Sequence, residues 1–249
     1  CFVIVVGVTL ALRVVVHGSI RALWTIILAN KKHLVLLNIA TAADWILYFI
    51  SVKISDGSLA NALLFGVAPI AALFFSREQT GQKTGYSLVI LMLLALLAAT
   101  YVEGASGNLY LAIATGVLAG VAVGAGTISM KGLGADGVKV LDVVLLRYAM
   151  TILATMLILF AMGTPMHISA AQGLNSVCIA AAMVLLPTVL VQAGIRLISA
   201  FSAAVIFSSI PALTYVVALF VGAPFSLART AIFVVLSLVL LRMSTIQNL

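Results

Sequence analysis

Charge is what this chain has least of. Its 249 residues include six Asp+Glu, 13 Lys+Arg and three His. Charged residues make up 8% of the sequence, against about 25% in an average soluble domain. A water-soluble fold of this length needs a charged surface, so the deficit argues against one. Hydrophobic residues reach 64% and the mean hydropathy is +1.31, which excludes a disordered chain as well. Cysteine is scarce too. Cys1 is terminal and Cys178 lies in an apolar run, so no disulfide framework is expected and the redox compartment stays unread. The sequence has no His-Glu-x-x-His, no Cys-x-x-Cys, no Walker lysine loop and no clustered ligands for metal or haem. Neither a metal nor a cofactor is expected, and without a nucleotide domain this chain alone is no ATP-driven pump.

Long apolar runs fill the space that charge leaves. They are apolar all round for about twenty residues, the length of a helix that crosses a bilayer, and they lack the period-two alternation of a barrel strand. Gly, Pro and charge clusters punctuate about nine such spans: 4–29, 34–54, 57–75, 84–102, 108–130, 140–162, 174–196, 199–222 and 228–246. The expected fold is an all-α integral membrane protein, a polytopic bundle with short connections and no soluble domain. No basic segment precedes the first run, so it is not an ordinary signal peptide. The chain is expected to lack its native start.

Loop charges give an orientation. Lys31, Lys32, Arg77, Lys83, Lys131, Lys139, Arg196 and Arg242 fall on one side, and Lys53 and Arg229 on the other. Eight against two places the first side, with the C-terminus, in the cytoplasm. The net charge of +7 is then a topology signal, and no nucleic-acid partner is implied. The expected partners are a small-molecule substrate and the lipid bilayer.

Two segments repeat. Ser58–Pro69 can be laid on Ala200–Pro211, so that Phe65 meets Phe207 and Pro69 meets Pro211, while Arg13 in the first span matches Arg147 in the sixth. Residues 1–103 therefore read as a four-helix repeat and 104–249 as a five-helix repeat. If the first half had a matching leading helix, the total would be ten. An odd-numbered repeat inserts in opposite orientations and gives an inverted pair.

An Arg early in a helix, a small-residue helix ending near Pro69, then Glu78 and the Gly85-led helix together resemble the EamA type of the drug/metabolite transporter superfamily. The resemblance covers nearly the whole chain. It departs in lacking the first helix of repeat one and in placing Pro224 about where the second Glu would fall. It implies two inverted five-helix repeats, a bacterial inner membrane, and a secondary transporter or exporter of a small metabolite working by alternating access, with proton coupling or exchange.

Polar residues inside the spans are the candidate site, because each costs about 2.5–3.5 kcal/mol at a helix centre. Asp44 lies about 15 Å into its helix and reads either as a cavity-facing proton group or as half of a structural ion pair. Asn38, Thr41, Asp44, Trp45 and Tyr48 share an arc of about 120°. Trp45 and Tyr48 shape a pocket or simply pack. Arg13, His17, Arg21 and Trp24 recur at i, i+4, i+8 and i+11 on the preceding helix. The basic three form a cationic stripe along a substrate path, or the two arginines snorkel and His17 bonds a neighbour. Antiparallel packing would bring His17 and Arg21 to the depth of Asp44. Asn61 lines the cavity or caps its helix. Arg147 with Thr151 and Thr155, and Thr188 with Gln192 and Arg196, repeat the stripe spacing in the second half; the threonines also read as bonding their own backbone.

Gly116, Gly120 and Gly124 form a doubled G-x-x-x-G, a close-packing face within the chain or between the halves of a homodimer. Pro69 and Pro211 read as kinks or hinges. Gly104-Ala-Ser-Gly107 matches an intramembrane serine protease motif, but it and His167 fall in loops, so no catalytic residue and no enzyme activity are expected. The rival to a transporter is a non-transporting membrane scaffold or assembly partner.

Overall fold

The structure is a computed structural model that describes residues 2–17, 21–55, 57–76, 108–163, 170–198, 203, 206–207, 210–220 and 225–246. The fold is all-α: every regular element among the described residues is a helix. In chain order these are α1 (Phe2–His17), α2 (Arg21–Ala29), α3 (Lys31–Ile54), α4 (Gly57–Ser76), α5 (Leu109–Ala135), α6 (Val140–Leu146), α7 (Ala149–Ala161) and α8 (Ala170–Ile179). A π-helical turn, Ala180–Leu185, joins α8 to α9 (Leu186–Leu197), and α10 (Ile210–Phe220) and α11 (Leu227–Ile246) follow.

Four stretches among the described residues are long and apolar enough to cross a membrane: Lys31–Ile54, Leu109–Ala135, Val140–Ala161 and Gln172–Leu197. Their boundaries fall within five residues of the expected spans. The expected 84–102 span lies outside the described residues, 199–222 is described in part, and 4–29 is described as α1 and α2. The 140–162 span is corrected in one respect, because it consists of two helices, α6 and α7. Lys131, expected in a loop, lies inside α5.

The chain forms two compact units, 1–42 with 129–198 and 43–128 with 199–249. Each draws segments from both halves of the sequence, and α3 and α5 each contribute to both units.

In the second unit the glycine stripe of α5 packs on α4. A Cβ at Gly116 would stand 2.9 Å from that of Leu63, one at Gly120 2.6 Å from the Leu64 carbonyl oxygen, and one at Gly124 2.6 Å from the Ala71 Cβ. No side chain fits at those distances, so the doubled motif is an intramolecular seam. Leu59, Ala62, Leu63, Tyr215 and Phe233 form the buried core beside it. The Tyr215 hydroxyl donates to the Ser226 carbonyl at 3.1 Å and accepts from the Ser226 amide at 3.0 Å, fixing the start of α11 against α10. The Phe65 and Phe207 rings meet at 6.4 Å between centroids.

In the first unit α1 packs on α6, the π-helical turn and α7, while α9 packs on α6. α5 ends in a Schellman turn: Val138 N–H bonds the Leu133 carbonyl at 3.0 Å, and Gly137 N–H bonds that of Gly134 at 3.2 Å. Gly137 takes φ +76°, a left-handed conformation that glycine adopts without steric cost. This turn delivers Asp136 and Lys139 to the lining of the cavity described below.

Candidate functional site

Arg13 is drawn into the first unit: its side chain is 2% exposed, and its Nε donates to Asp142 Oδ1 at 2.5 Å. It is therefore a buried ion pair and does not snorkel. Asp142 stands in the first turn of α6, and the sequence reading missed it because a carboxylate near the start of a span passes for a helix-end residue. The pair borders a cavity of about 370 Å³ whose other polar lining is Thr25, Asn30, Asp136 and Lys139. His17 closes α1 and Arg21 opens α2, but their side chains lie outside the described residues, and so does the expected approach of either to Asp44.

The break between α6 and α7 has an identifiable cause. In an unbroken helix the Met150 N–H would bond the Leu146 carbonyl. Here the amide of Asn38, from α3, is inserted between them. Its Nδ2 donates to the Leu146 carbonyl at 2.8 Å and its Oδ1 accepts from the Met150 N–H at 3.1 Å. Side-chain insertion into the i→i−4 ladder is a recognised origin of kinks. The two residues at the break are Arg147 and Tyr148. Asn38 was legible only as part of a polar face, with nothing in the sequence to link it to a backbone 108 residues away.

Arg147 is half-buried. Its Nη1 donates to the Met130 sulfur at 3.4 Å and its guanidinium lies 5.2 Å from the centre of the Tyr148 ring. Its Nε is buried without a partner, and among the described residues no carboxylate pairs with it. Tyr148, 1% exposed, stacks on Phe2 at 5.2 Å, and its hydroxyl shares a 2.8 Å hydrogen bond with Thr188. One turn along α9, Gln192 has no exposed surface; its Nε2 donates to the Met130 carbonyl at 3.4 Å and its Oε1 has no partner. Thr151, also fully buried, has an unpartnered hydroxyl, and Thr155 bonds its own backbone as one reading of the threonines anticipated. Met130 thus brings Arg147 and Gln192 together.

The π-helical turn before α9 went unforeseen, although Pro187 was its signal. Proline has no N–H to offer the preceding turn, which widens. The far end of α9 is held firmly. Lys131 Nζ donates to the carbonyls of Ile195, Arg196 and Ile198 at 3.2, 3.3 and 2.7 Å, and Arg196 Nη2 donates to that of Val138.

In the second unit three predicted residues converge. Tyr48 lies beside the Asn61 side chain and within electrostatic range of Asp44. Asn61 Nδ2 in turn donates to Thr214 Oγ1 at 3.2 Å, which joins α4 to α10. Asn61 is 7% exposed and its amide bridges helices. Trp45 packs on Phe49 at 5.5 Å between ring centres. The predicted residues therefore sort into Arg13, Arg147 and Gln192 in one unit and Asp44, Trp45, Tyr48 and Asn61 in the other. Among the described residues no group of three His, Cys, Asp or Glu is placed to hold a metal ion.

No protein-family model matches the chain, and no curated protein matches it. Solved structures do match. One, described only as a crystal structure of a protein, is similar over 99% of this chain and 85% of its own, with a TM-score of 0.69 at 15% sequence identity. At that identity the likeness shows the fold alone.

Proposed function

We propose that this chain is a multi-pass membrane protein that carries a small organic metabolite across the bilayer by alternating access. The broken span carries the reading. Irregular backbone at membrane depth is tolerated where it is buried in protein or lines a cavity, and interrupted helices mark the binding sites of many secondary transporters. Here the break presents an arginine with no carboxylate partner among the described residues, and Met130, which it contacts, is also bonded by a buried glutamine whose oxygen has no partner. A polar or anionic substrate suits that chemistry.

Other observations support the setting. Large apolar side chains such as Val15, Phe160, Leu190 and Leu213 are more than 60% exposed, a surface suited to hydrocarbon. Phe65 and Phe207, equated by the internal repeat, touch each other, as residues near a two-fold axis would. We read the architecture as two inverted repeats of the EamA kind, in a bacterial inner membrane with the C-terminus cytoplasmic. Asp44, with His17, is the proton or gating group, and Trp45 and Tyr48 shape the pocket. In proteoliposomes given a panel of solutes with and without a pH gradient, Asp44→Asn is expected to abolish the effect of the gradient. Unchanged uptake and pH response would remove the coupling role.

The buried Arg13–Asp142 pair favours a second reading, a non-transporting scaffold whose polar groups only lock helices together. Cysteines placed at 13, 17, 21 and 44 separate the two. Uniform protection from aqueous thiol reagents under all conditions supports the scaffold, and labelling that changes with solute supports the transporter.

A further inference from the structure

We infer that the polar groups gathered around Met130 form a binding site for a small oxyanion that also carries a hydrogen-bond donor, a 2-hydroxycarboxylate being the simplest such molecule. This names a substrate class for the proposed transport site and rests on that reading for the purpose of the site.

A comparison of cations singles the place out. Arg13 is neutralised by Asp142. Lys131 donates to three carbonyls at the C-terminal end of α9, where a cation is favoured by the helix dipole. Arg196 donates to the Val138 carbonyl at the same end. Arg147 differs from all of them. Its described contacts are a thioether sulfur and an aromatic face, both weak acceptors, and no oxygen; its Nε, like that of Arg196, has no partner. The side chain is half-buried and its buried Nε is left without an acceptor, which favours a counter-charge beside it.

The surrounding groups refine the ligand. Gln192 Oε1 is an acceptor without a donor, and the side chain is fully buried. Arg147 Nη1 reaches the sulfur and Gln192 Nε2 the carbonyl of the same methionine, and the proposed ligand is one small molecule that meets both. A carboxylate accepts from Arg147 while a hydroxyl on the neighbouring carbon donates to Gln192 Oε1. Chloride or a plain carboxylate answers only the first group, and an alkylammonium is repelled by it.

The purified protein in detergent tests this by thermal unfolding and equilibrium titration with lactate, propanoate, n-propylammonium and potassium chloride at equal ionic strength. Lactate is expected to stabilise the protein and to bind about tenfold more tightly than propanoate, the worth of one hydrogen bond to a buried acceptor. Arg147→Gln is expected to weaken lactate binding by tenfold or more. Gln192→Leu is expected to bring lactate down to the propanoate level, and this selectivity ratio decides the matter if Arg147→Gln does not fold. Equal binding of lactate and propanoate by the native chain overturns the proposal. So does a preference that survives Gln192→Leu, or an anion effect no larger than that of potassium chloride, which would mean a site filled by water. Lactate binding without uptake into proteoliposomes supports the site and removes the transporter reading; uptake of another solute with no lactate binding does the reverse.

Discussion

Asp142 and Asn38 are each one polar residue in an apolar span, and each makes a contact that decides a local structure. Asp142 holds Arg13 in a pair whose side chains are 2% and 3% exposed. Breaking such a pair leaves a buried charge, whereas replacing both members with apolar residues is often neutral. Arg13→Met alone is therefore expected to lower stability by about 3–5 kcal/mol, and Arg13→Met with Asp142→Leu to recover most of it. Unfolding of the four proteins of that cycle in detergent measures the coupling, and equal losses in single and double variants would refute it. Asn38→Leu removes the partners of the Leu146 carbonyl and the Met150 N–H. A loss of about 1–3 kcal/mol is expected, with faster hydrogen exchange at Met150. Exchange unchanged at that amide would mean that the helix closes its own ladder when Asn38 is gone. Arg13 and Arg147 were legible as candidates because polarity stands out in an apolar run. Their partners were not, because a contact between positions 13 and 142 leaves no trace in the spacing of either segment.

At the scale of elements, the seam between α4 and α5 gives a direct test of packing. Gly120→Ala would set its Cβ 2.6 Å from a backbone oxygen, which cannot yield as a side-chain tip can. Loss of about 1–3 kcal/mol is expected. Gly7, on α1, has nothing within 4 Å of the same position, so Gly7→Ala is expected to stabilise the protein by about 0.4–1 kcal/mol. Paired melting curves that shift in the same direction would contradict this account. The helices were readable from hydropathy, since about twenty apolar residues admit little else, and the glycine seam was readable from its period of four. The break in Val140–Ala161 was not, because no Gly or Pro marks Arg147 and Tyr148 and the disrupting amide arrives from α3. The π-helical turn was readable in hindsight from Pro187 alone.

For the whole molecule, the interleaving of the two compact units bears on how the chain reaches its folded state. The first unit needs residues 1–42 and 129–198, so its parts are made with most of the second unit between them. Arg13 leaves the ribosome 129 residues ahead of Asp142. At about 5–20 residues per second that is roughly 6–25 s of synthesis, during which α1 holds a cation without its native carboxylate. In a translocation assay, a chain truncated after residue 135 is expected to insert α1 poorly, one extended past residue 142 to insert it well, and Arg13→Leu to erase the difference. Equal insertion at both lengths would show that the pair matters only after folding. The contact that buries Arg13 in the finished protein thus also sets an order of events, since α1 carries a charge that the chain cannot answer until 129 further residues have been made.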